Sequence, residues 1–423
     1  MSARDGAKRV LLIAYHYPPE GSSSGVLRTL AFSKYLAAYG WSPYVLTLRE
    51  SAYTVRDEEL RRQIPAGVPV HRTPGFDTTR HLAIRGRYLS LLATPDRYVS
   101  WLPFGVARGL GIIRREGIQA IFSTLPVPTA HLIAESLHVL TRVPWVADFR
   151  DPWIEEGIFP PPGSFRYGIE RRLEAGVVRR ASRITVTTPG LGAELKARHP
   201  GQLDRKIRVI YNGYDEENFA GLPAPQRAER FEIVHAGLMT PEFRDPSPIL
   251  EELARLIAEG KIAREETRVS FIGGGPWAHS EDFAARVRSS GLADLATVEG
   301  RIPHREALLR QAHAAALLVL QASDDTRQLI PAKAFEYLRL GRPILALTLD
   351  GATADLLRGQ EQCHVHGPAD RSGIRGALIE LHRFWQESPS GSVLARPVHA
   401  YERSRLAGQL AGVFDELTVG ARP

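Results

Sequence analysis

A lysine and a glutamate lie one helical turn apart in the C-terminal half of this 423-residue sequence. Pro331 suits the first position of a helix, and Lys333 then falls in the first turn, where the helix dipole disfavours a cation. A bound anion such as a phosphate would compensate that cost. Glu336 follows on nearly the same face, so a carboxylate able to grip paired hydroxyl groups adjoins the ammonium. The alternative is an ordinary Lys–Glu helix pair, which stabilises a helix only slightly.

Gly237 and Arg244 form a second candidate site for an anion. Gly237 follows a predicted strand at 232–236, and Arg244 comes seven residues later. Taken alone, Arg244 is also compatible with an ordinary surface position.

A loop rich in glycine and serine lies between the first predicted strand, 9–15, and the first predicted helix, 26–39. Doubly wound sheets present their ligand crevice at this position, and the free N–H groups at a helix start favour an anion. An ordinary flexible turn is the alternative, because Gly and Ser are common in turns. The loop residues are Gly21, Ser22, Ser23, Ser24 and Gly25.

Three charged residues follow one another closely around the end of another predicted strand, Trp145–Phe149. Asp148, Arg150 and Asp151 lie at the carboxyl end of this strand, where a doubly wound sheet presents its ligand crevice. They are the catalytic candidates. A structural network of ion pairs is the alternative, since Asp and Arg residues so close in sequence can satisfy each other.

Several other chemistries have no support in the sequence. Neither 190–192 nor 273–275 has the glycine spacing of a dinucleotide fingerprint, and no glycine run ends in Lys followed by Ser or Thr. NAD-dependent, kinase-like and ATPase functions are therefore not indicated. Cys363 is the only cysteine, which excludes an internal disulfide and a cysteine-based metal cluster. We expect no cofactor and no metal, because the sequence has no acidic metal motif.

The elements that must position these residues alternate between buried-strand and helical patterns, as is typical of parallel sheets in α/β proteins. A chain of 423 residues favours two domains, each built on a doubly wound sheet. We predict an N-terminal domain at 1–220, a C-terminal domain at 221–395, and a terminal helix within 396–423 that returns to the first domain. Further strands are predicted at 44–48, 120–123, 184–187, 209–211, 269–272, 296–299, 317–321 and 344–348.

The formal charge of +7 suits anionic partners. The stretch Arg80–Glu116 holds seven arginines against two acids, with aromatic residues between them. It predicts either peripheral docking on an anionic membrane or lipid-linked acceptor, or a solvated face whose aromatic rings lie in the core. Nucleic-acid binding is not expected, because no recognised module accompanies the charge. No apolar stretch approaches the roughly 18 residues of a membrane span, and we expect a cytoplasmic protein.

The segment Gln328–Leu338 resembles the donor-site signature of retaining glycosyltransferases of family 4, in which two acids eight positions apart flank a proline-started helix. By this resemblance, Glu336 is the second acid, which holds the nucleotide ribose. Gln328 stands where the first acid, the sugar contact, is expected. Ile330 and Pro331 complete the implied donor-binding segment.

The resemblance extends over nearly the whole chain. The Tyr-His-Tyr-Pro-Pro opening and the segments Trp145–Trp153 and Ile210–Asp215 are similar to members acting on bacterial surface polysaccharides or natural products. Arg244 resembles the family's basic residue on the donor diphosphate. Arg150 departs from the pattern, since many members have a histidine there.

The resemblance implies the GT-B fold, in which two Rossmann-like domains face a central cleft. It implies a retaining transferase that binds a nucleotide-sugar donor in its C-terminal domain. The acceptor, which could be a glycan, a lipid-linked or a small natural-product molecule, would bind in the N-terminal domain. A nucleotide-sugar epimerase or phosphorylase of the same architecture is an alternative, as is a non-catalytic nucleotide-sugar-binding pseudo-transferase.

Overall fold

The computed structural model of the protein describes residues 6–81, 83, 87–88, 93–154, 160–224, 226–392 and 398–418. The chain forms two compact units. The first combines Met1–Asn212 with Tyr401–Pro423, and the second is Gly213–Ala400. The first division thus lies at 212/213, where the sequence predicted 220/221. The other predicted boundary, 395/396, lies outside the described residues.

The first unit is built on a seven-stranded parallel sheet. Its strands are β1 (Lys8–Ile13), β2 (Trp41–Leu48), β3 (Val70–Thr73), β4 (Ala120–Thr124), β5 (Trp145–Phe149), β6 (Arg183–Val186) and β7 (Ile207–Val209). They are arranged in the order β3-β2-β1-β4-β5-β6-β7. Every residue of β4 and β5 is buried. This is expected where helices cover both faces of a parallel sheet, and it explains the uninterrupted apolar runs.

In the described part of this unit, seven helices lie between or after the strands. They are α1 (Val26–Tyr35), α2 (Glu58–Arg62), α3 (Thr78–His81), α4 (Trp101–Glu116), α5 (Thr129–Thr141), α6 (Phe165–Arg180) and α7 (Pro189–Arg198). Two glycines allow α4 to approach α5 closely. A Cβ at Gly105 would lie 2.5 Å from Ile133 Cδ1, and one at Gly109 would lie 2.5 Å from Leu137 Cδ1. Larger residues at these positions would push the helices apart.

The second unit is built on a six-stranded parallel sheet. Its strands are β8 (Phe231–Ala236), β9 (Thr267–Ile272), β10 (Ala296–Glu299), β11 (Ala316–Gln321), β12 (Ile344–Thr348) and β13 (Cys363–His366). Their order is β10-β9-β8-β11-β12-β13. The helices are α8 (Ser247–Ala258), α9 (Gly275–Ala278), α10 (Glu281–Ser289), α11 (His304–Ala312), α12 (Ala332–Leu340), α13 (Ala352–Leu357) and α14 (Arg371–Glu387).

The last helix, α15 (Arg403–Thr418), belongs to the first unit. Phe414 is fully buried in that unit, with its ring centroid 5.1 Å from that of Trp41. The indole N–H of Trp41 donates to Asp415 Oδ1 at 3.0 Å. The chain therefore ends by completing the core of the unit in which it began. Within the described residues, no helix is long and apolar enough to cross a bilayer.

Each predicted strand corresponds to an observed one, with ends that differ by up to three residues. The structure adds β3 and β13, which were not predicted. Both are short edge strands whose residues are only partly buried for the most part, so they lack the apolar run that marks a central strand. The predicted helix at 26–39 is α1 followed by a 3-10 turn that ends at Gly40 with φ 79°.

Candidate active site

β8 and β11 are neighbours in the second sheet, but the connections that follow them lead to opposite edges. Doubly wound sheets bind ligands beyond the carboxyl ends of strands at such a switch point. Gly237 directly follows β8, and the loop that leads into α12 follows β11. The donor-site candidates of the second unit therefore lie where the topology favours a ligand.

The two strands separate at these ends. The residues of β11 and β8 that pair are Ala316 with Ile233 and Leu317 with Val234. Beyond it, the carbonyl of Leu318 lies 2.9 Å from Nδ1 of the buried His235. The next backbone N–H of β8, that of Ala236, donates to the hydroxyl of Tyr337 at 3.2 Å.

Tyr337 lies on α12 and is fully buried. Its hydrogen bond attaches α12 to the open end of β8. Pro331, which the sequence predicted as the first helical residue, is instead the N-cap of α12 with ψ 140°, and the helix begins one residue later. Lys333 is therefore the second residue of the helix, which keeps it in the first turn.

Lys333 extends its side chain to the backbone of Gly237. A Cβ at Gly237 would overlap Nζ of Lys333 and lie 3.1 Å from its Cε. Gly237 also has φ 134°, a conformation that residues with side chains rarely adopt. Only glycine permits this approach, so the contact explains the residue type at position 237.

Burial and the positive charge of Arg244 lower the pKa of Lys333 to about 7, although Glu336 acts in the opposite direction. Among the residues that the structure describes, Lys333 has no carboxylate within 4.0 Å. Oε1 of Glu336 instead lies 3.1 Å from Nε2 of His304. The ordinary Lys–Glu helix pair that the sequence allowed is not formed.

Arg244 is half-buried, and its guanidinium lies over the ring of Phe243, 5.4 Å from the centroid. Burial lowers its pKa, while the charge of Asp325 opposes this shift. The backbone N–H of Ala322 donates to the carbonyl of Phe243 at 2.8 Å, which fixes the Arg244 loop to the end of β11. In the described parts of the chain, no carboxylate pairs with Arg244 within 4.0 Å.

The loop before α12 is held by side chains that sequence analysis did not identify. Nε2 of Gln321 donates to the carbonyls of Thr326 and Leu329 at 2.8 and 3.0 Å. The hydroxyl of Thr353 lies 2.8 Å from Oε1 of Gln321. Of the predicted donor residues on this loop, Ile330 is buried while Gln328 and Pro331 are half-buried. The sequence contained no signal for Gln321 and Thr353, because both act through the folded loop.

The second unit therefore brings Gly237, Lys333 and Arg244 together, with Glu336 one turn further along α12. Two cations that lack a carboxylate partner within 4.0 Å can bind an anion such as a diphosphate. Within the described residues, no cluster of three or more His, Cys, Asp or Glu side chains could hold a metal ion.

In the first unit, Asp148 has a structural position. It is fully buried, and Arg28 donates to its two oxygens at 2.8 and 3.0 Å. The hydroxyls of Thr124 and Thr185 donate at 2.8 and 2.6 Å. Burial alone would raise the pKa of Asp148, but the Arg28 guanidinium and these hydroxyls leave it lowered. With its oxygens occupied in this way, Asp148 joins α1, β4, β5 and β6.

Arg150 and Asp151 lie beyond β5 and pair with each other, with 3.1 Å between Arg150 Nε and Asp151 Oδ2. The Arg150 guanidinium also contacts the predicted loop, because a Cβ at Gly25 would overlap it. Burial and the charge of Arg150 lower the pKa of the nearby His16 to about 3. The sequence-based ion-pair alternative is thus realised for Arg150 and Asp151, next to the Gly/Ser loop.

Glu20, which sequence analysis did not single out, shapes this loop. It is fully buried, and its Oε1 accepts the backbone N–H of Ser22 at 2.8 Å and the Ser22 hydroxyl. Gly25 N–H donates to Ser23 Oγ at 3.1 Å. Gly21 is buried, whereas Ser22 and Ser24 are exposed.

The arginine-rich stretch at 80–116 divides between core and surface, and residues 82, 84–86 and 89–92 lie outside the described part. Tyr98 and Trp101 are buried, as the solvated-face alternative expects. Tyr88 and Phe104 are exposed. Docking on a membrane stays a prediction.

The family model of the glycosyl transferase 4-like domain matches residues 25–213. No curated protein sequence matches the chain. Many solved structures resemble it over nearly its whole length, and three of them illustrate the range of proteins with this fold. Sucrose-phosphate synthase from Thermosynechococcus elongatus is 14% identical with a TM-score of 0.64, covering 98% of this chain and 100% of that one. Anabaena HepE in complex with UDP and glucose is 13% identical with a TM-score of 0.64, covering 97% and 100%.

The third is a putative UDP-N-acetylglucosamine 2-epimerase from Listeria monocytogenes, 11% identical with a TM-score of 0.60, covering 99% of this chain and 98% of that one. Identities this low establish the fold alone. The two sheets and their strand orders agree with that fold. Residues 25–213 therefore match the model of a glycosyl transferase 4-like domain, and the chain has, over nearly its whole length, the GT-B fold of two Rossmann-like domains.

Proposed function

We propose that the protein is a glycosyltransferase that takes a sugar from a nucleotide-diphosphate donor bound in its second unit. The observation that carries this proposal is the pair of half-buried cations, Lys333 and Arg244, at the switch point of the second sheet. In the described structure neither has a carboxylate within 4.0 Å. Unpaired charges at such positions are costly unless an anion offsets them, so a diphosphate is the expected ligand.

Each donor-site residue has a role in this proposal. Lys333 and Arg244 bind the diphosphate, and Gly237 allows both the lysine and the phosphate to approach the backbone. Glu336 accepts hydrogen bonds from the ribose hydroxyls, and the loop of Gln328 with Ile330 and Pro331 adjoins the sugar. The complex of Anabaena HepE with UDP and glucose supports this class of donor, since that protein has the same fold.

The proposed catalysis depends on the negative charge that develops on the leaving nucleotide diphosphate. As the bond to the anomeric carbon breaks, negative charge builds on the departing nucleotide diphosphate, and Lys333 and Arg244 stabilise it more strongly than the ground state. We expect transfer without a divalent cation, because these two residues supply the positive charge. The resemblance to family 4 favours retention of configuration at the anomeric carbon.

The acceptor side of the proposal concerns the first unit. Arg150, Asp151 and the exposed serines Ser22 and Ser24 provide hydrogen-bonding groups beyond the ends of β1 and β5. Such groups suit a hydroxylated acceptor, whether a glycan, a lipid-linked saccharide or a natural product. Asp148 does not take part, because its oxygens are bound to Arg28, Thr124 and Thr185.

Two measurements test the proposal. A thermal-shift screen of nucleoside diphosphates and their sugars should give one selective stabilising ligand, and that donor should then be consumed with release of the nucleoside diphosphate. Lys333→Ala should lower turnover about 100-fold, more than it weakens binding. Lys261→Ala, at an exposed lysine paired with Glu259, is the control and should leave both unchanged. A wild-type protein that binds no nucleoside diphosphate would refute the proposal.

An epimerase is the second candidate, favoured by the likeness to the Listeria protein. NMR of the incubated nucleotide sugar separates the two functions. An epimerase changes one stereocentre of the sugar, whereas a transferase releases the nucleoside diphosphate and moves the sugar to water or an acceptor. Tight nucleotide binding without either reaction would identify a pseudo-transferase.

A further inference from the structure

The imidazole of His235 lies at the ligand-binding edge of the second sheet. The residue is fully buried next to the end of β8, and its Nε2 atom has no hydrogen-bond partner. Buried polar atoms nearly always have a partner, so an exception at a ligand-binding edge requires an explanation.

The protonation of this ring follows from its contacts. Nδ1 lies 2.9 Å from the carbonyl of Leu318, and a carbonyl can only accept, so Nδ1 carries the hydrogen. Burial and the charges of Lys333 and Arg244 hold the pKa of His235 well below its usual range, and the backbone groups of Leu318 and Leu238 act against this. The ring is therefore neutral, and Nε2 presents a bare lone pair.

The group that can reach this lone pair is the ammonium of Lys333. The position of a Cβ at Gly237 lies 4.0 Å from His235 Nε2, and the same position would overlap Lys333 Nζ. Because His235 is 0% exposed, a ligand cannot touch its ring in this conformation. The other charged groups acting on Lys333 are Arg244, which cannot accept a hydrogen bond, and Glu336, whose carboxylate in the described structure lies more than 4.0 Å from the ammonium.

We propose that His235 is a positioning residue for Lys333: its bare Nε2 accepts one N–H of the ammonium when a nucleoside diphosphate occupies the site. The two other N–H groups of Lys333 are then directed to phosphate oxygens. This rests on the proposed function, because it assigns the anion to the same site. A fixed neutral acceptor favours the charged lysine, so His235 extends the pH range in which Lys333 holds the diphosphate.

Two conservative substitutions separate the two hydrogen bonds of the ring. His235→Asn keeps a donor near the place of Nδ1 for the Leu318 carbonyl and removes the acceptor at Nε2. His235→Gln places an amide oxygen near Nε2 and gives up the bond to Leu318. A structural role predicts that the Gln variant is the more damaged, whereas the positioning role predicts that the Asn variant is.

The experiment measures UDP and inorganic pyrophosphate affinity by calorimetry at about pH 6 and pH 8, with thermal unfolding of each variant. We expect His235→Asn to lose about tenfold in affinity at pH 8, as for one hydrogen bond to a charged group, and less at pH 6. His235→Gln should stay close to the wild type. Acetic anhydride should label Lys333 faster in the Asn variant with UDP bound, as quantified by mass spectrometry.

The outcomes test the positioning role of His235 separately from the proposed glycosyltransferase function. If the wild type binds UDP and pyrophosphate and His235→Asn binds them equally well at both pH values, the inference is wrong and the proposed function stands. Equal losses in both variants at both pH values, together with lowered melting temperatures, would mean a structural histidine and also overturn it. If the wild type binds neither ligand, the proposed function itself fails.

Discussion

At the scale of single residues, the second unit places an ammonium against a backbone position without a side chain. Lys333 contacts Gly237, and the charge of Arg244 destabilises its protonated form. An anion reverses that effect, because it stabilises the charged lysine and both cations at once. The proximity of the two cations disfavours a charged Lys333 when no ligand is bound. The same proximity would increase the affinity for an anion.

The pKa of Lys333 gives a prediction for the pH dependence of binding. Since this pKa is lowered to about 7, the ligand-free protein loses the charge as pH rises through neutrality. Binding UDP then requires uptake of a proton, so we expect affinity to fall by up to about tenfold per pH unit above pH 7. Calorimetry in two buffers of different ionisation enthalpy measures both the affinity and the proton uptake.

The control for this prediction is Lys333→Arg. A guanidinium keeps its charge throughout this range, so the variant should show no proton uptake above pH 7. Titration of UDP itself affects both proteins alike and cancels in the comparison. Equal pH profiles for the wild type and Lys333→Arg would contradict the assignment.

Gln328 and Glu336 allow a separate prediction about donor choice. An amide at position 328 can donate and accept hydrogen bonds, but it lacks the charge that strengthens bonds to sugar hydroxyls. We expect Gln328→Glu to change the ranking of donor sugars in a transfer or hydrolysis assay. Glu336→Ala should weaken the binding of bare UDP as well, because it removes the ribose contact. Unchanged preference and affinity in both variants would place the donor site elsewhere.

At the scale of elements, the site depends on how β8 and β11 end. The strands separate after Val234 and Leu317, and the bond from Ala236 to Tyr337 replaces a further step of the ladder. That bond holds α12, and with it the first turn that carries Lys333. A loop following β8 can then approach the helix start only if Gly237 has no side chain.

Gly237→Ala tests this arrangement against a matched control. Gly260 also has positive φ, 70°, but a Cβ there meets nothing within 4 Å. Gly260→Ala should therefore reduce the free energy of unfolding by about 1 kcal/mol and leave UDP binding intact. Gly237→Ala should reduce it by about 2 kcal/mol or more and also displace Lys333, so that UDP affinity is lost. UDP affinity at the wild-type level in Gly237→Ala would refute the proposed contact.

The sequence predicted the central strands because residues buried on both faces of a parallel sheet form apolar runs. It did not predict β3 and β13, because histidine and arginine interrupt the apolar residues of these two short strands. Lys333 was identified because a cation in the first turn of a helix breaks a local rule. Gly237 was identified by its place after a predicted strand, and Arg244 by its resemblance to the family's basic residue. His235 and Tyr337 were not, because their partners are 83 and 101 residues away along the chain. Contacts of that range follow from the tertiary fold and leave no local signal.

At the scale of the whole molecule, the chain leaves the first unit after Asn212 and returns to it at Tyr401. The returning helix α15 supplies Leu406, Leu410 and Phe414 to the same core cluster as Trp41 and Phe122. The stability of the first unit therefore depends on the last part of the chain, whereas the proposed donor-site residues all belong to the second unit.

Phe414→Ala tests this division. Phe414 is fully buried, with ring centroids 5.1 Å from Trp41 and 6.4 Å from Phe122, so its truncation should cost roughly 3–5 kcal/mol in the free energy of unfolding.

Gly412→Ala on the exposed side of the same helix is the control, and its higher helix propensity should change stability by at most about 1 kcal/mol in the stabilising direction. Denaturant titration followed by circular dichroism measures the free energy of unfolding of both variants. UDP affinity below the denaturation range should be equal in both variants and the wild type, since each donor-site residue lies in the second unit. A loss of UDP affinity in folded Phe414→Ala would show that the first unit contributes to donor binding.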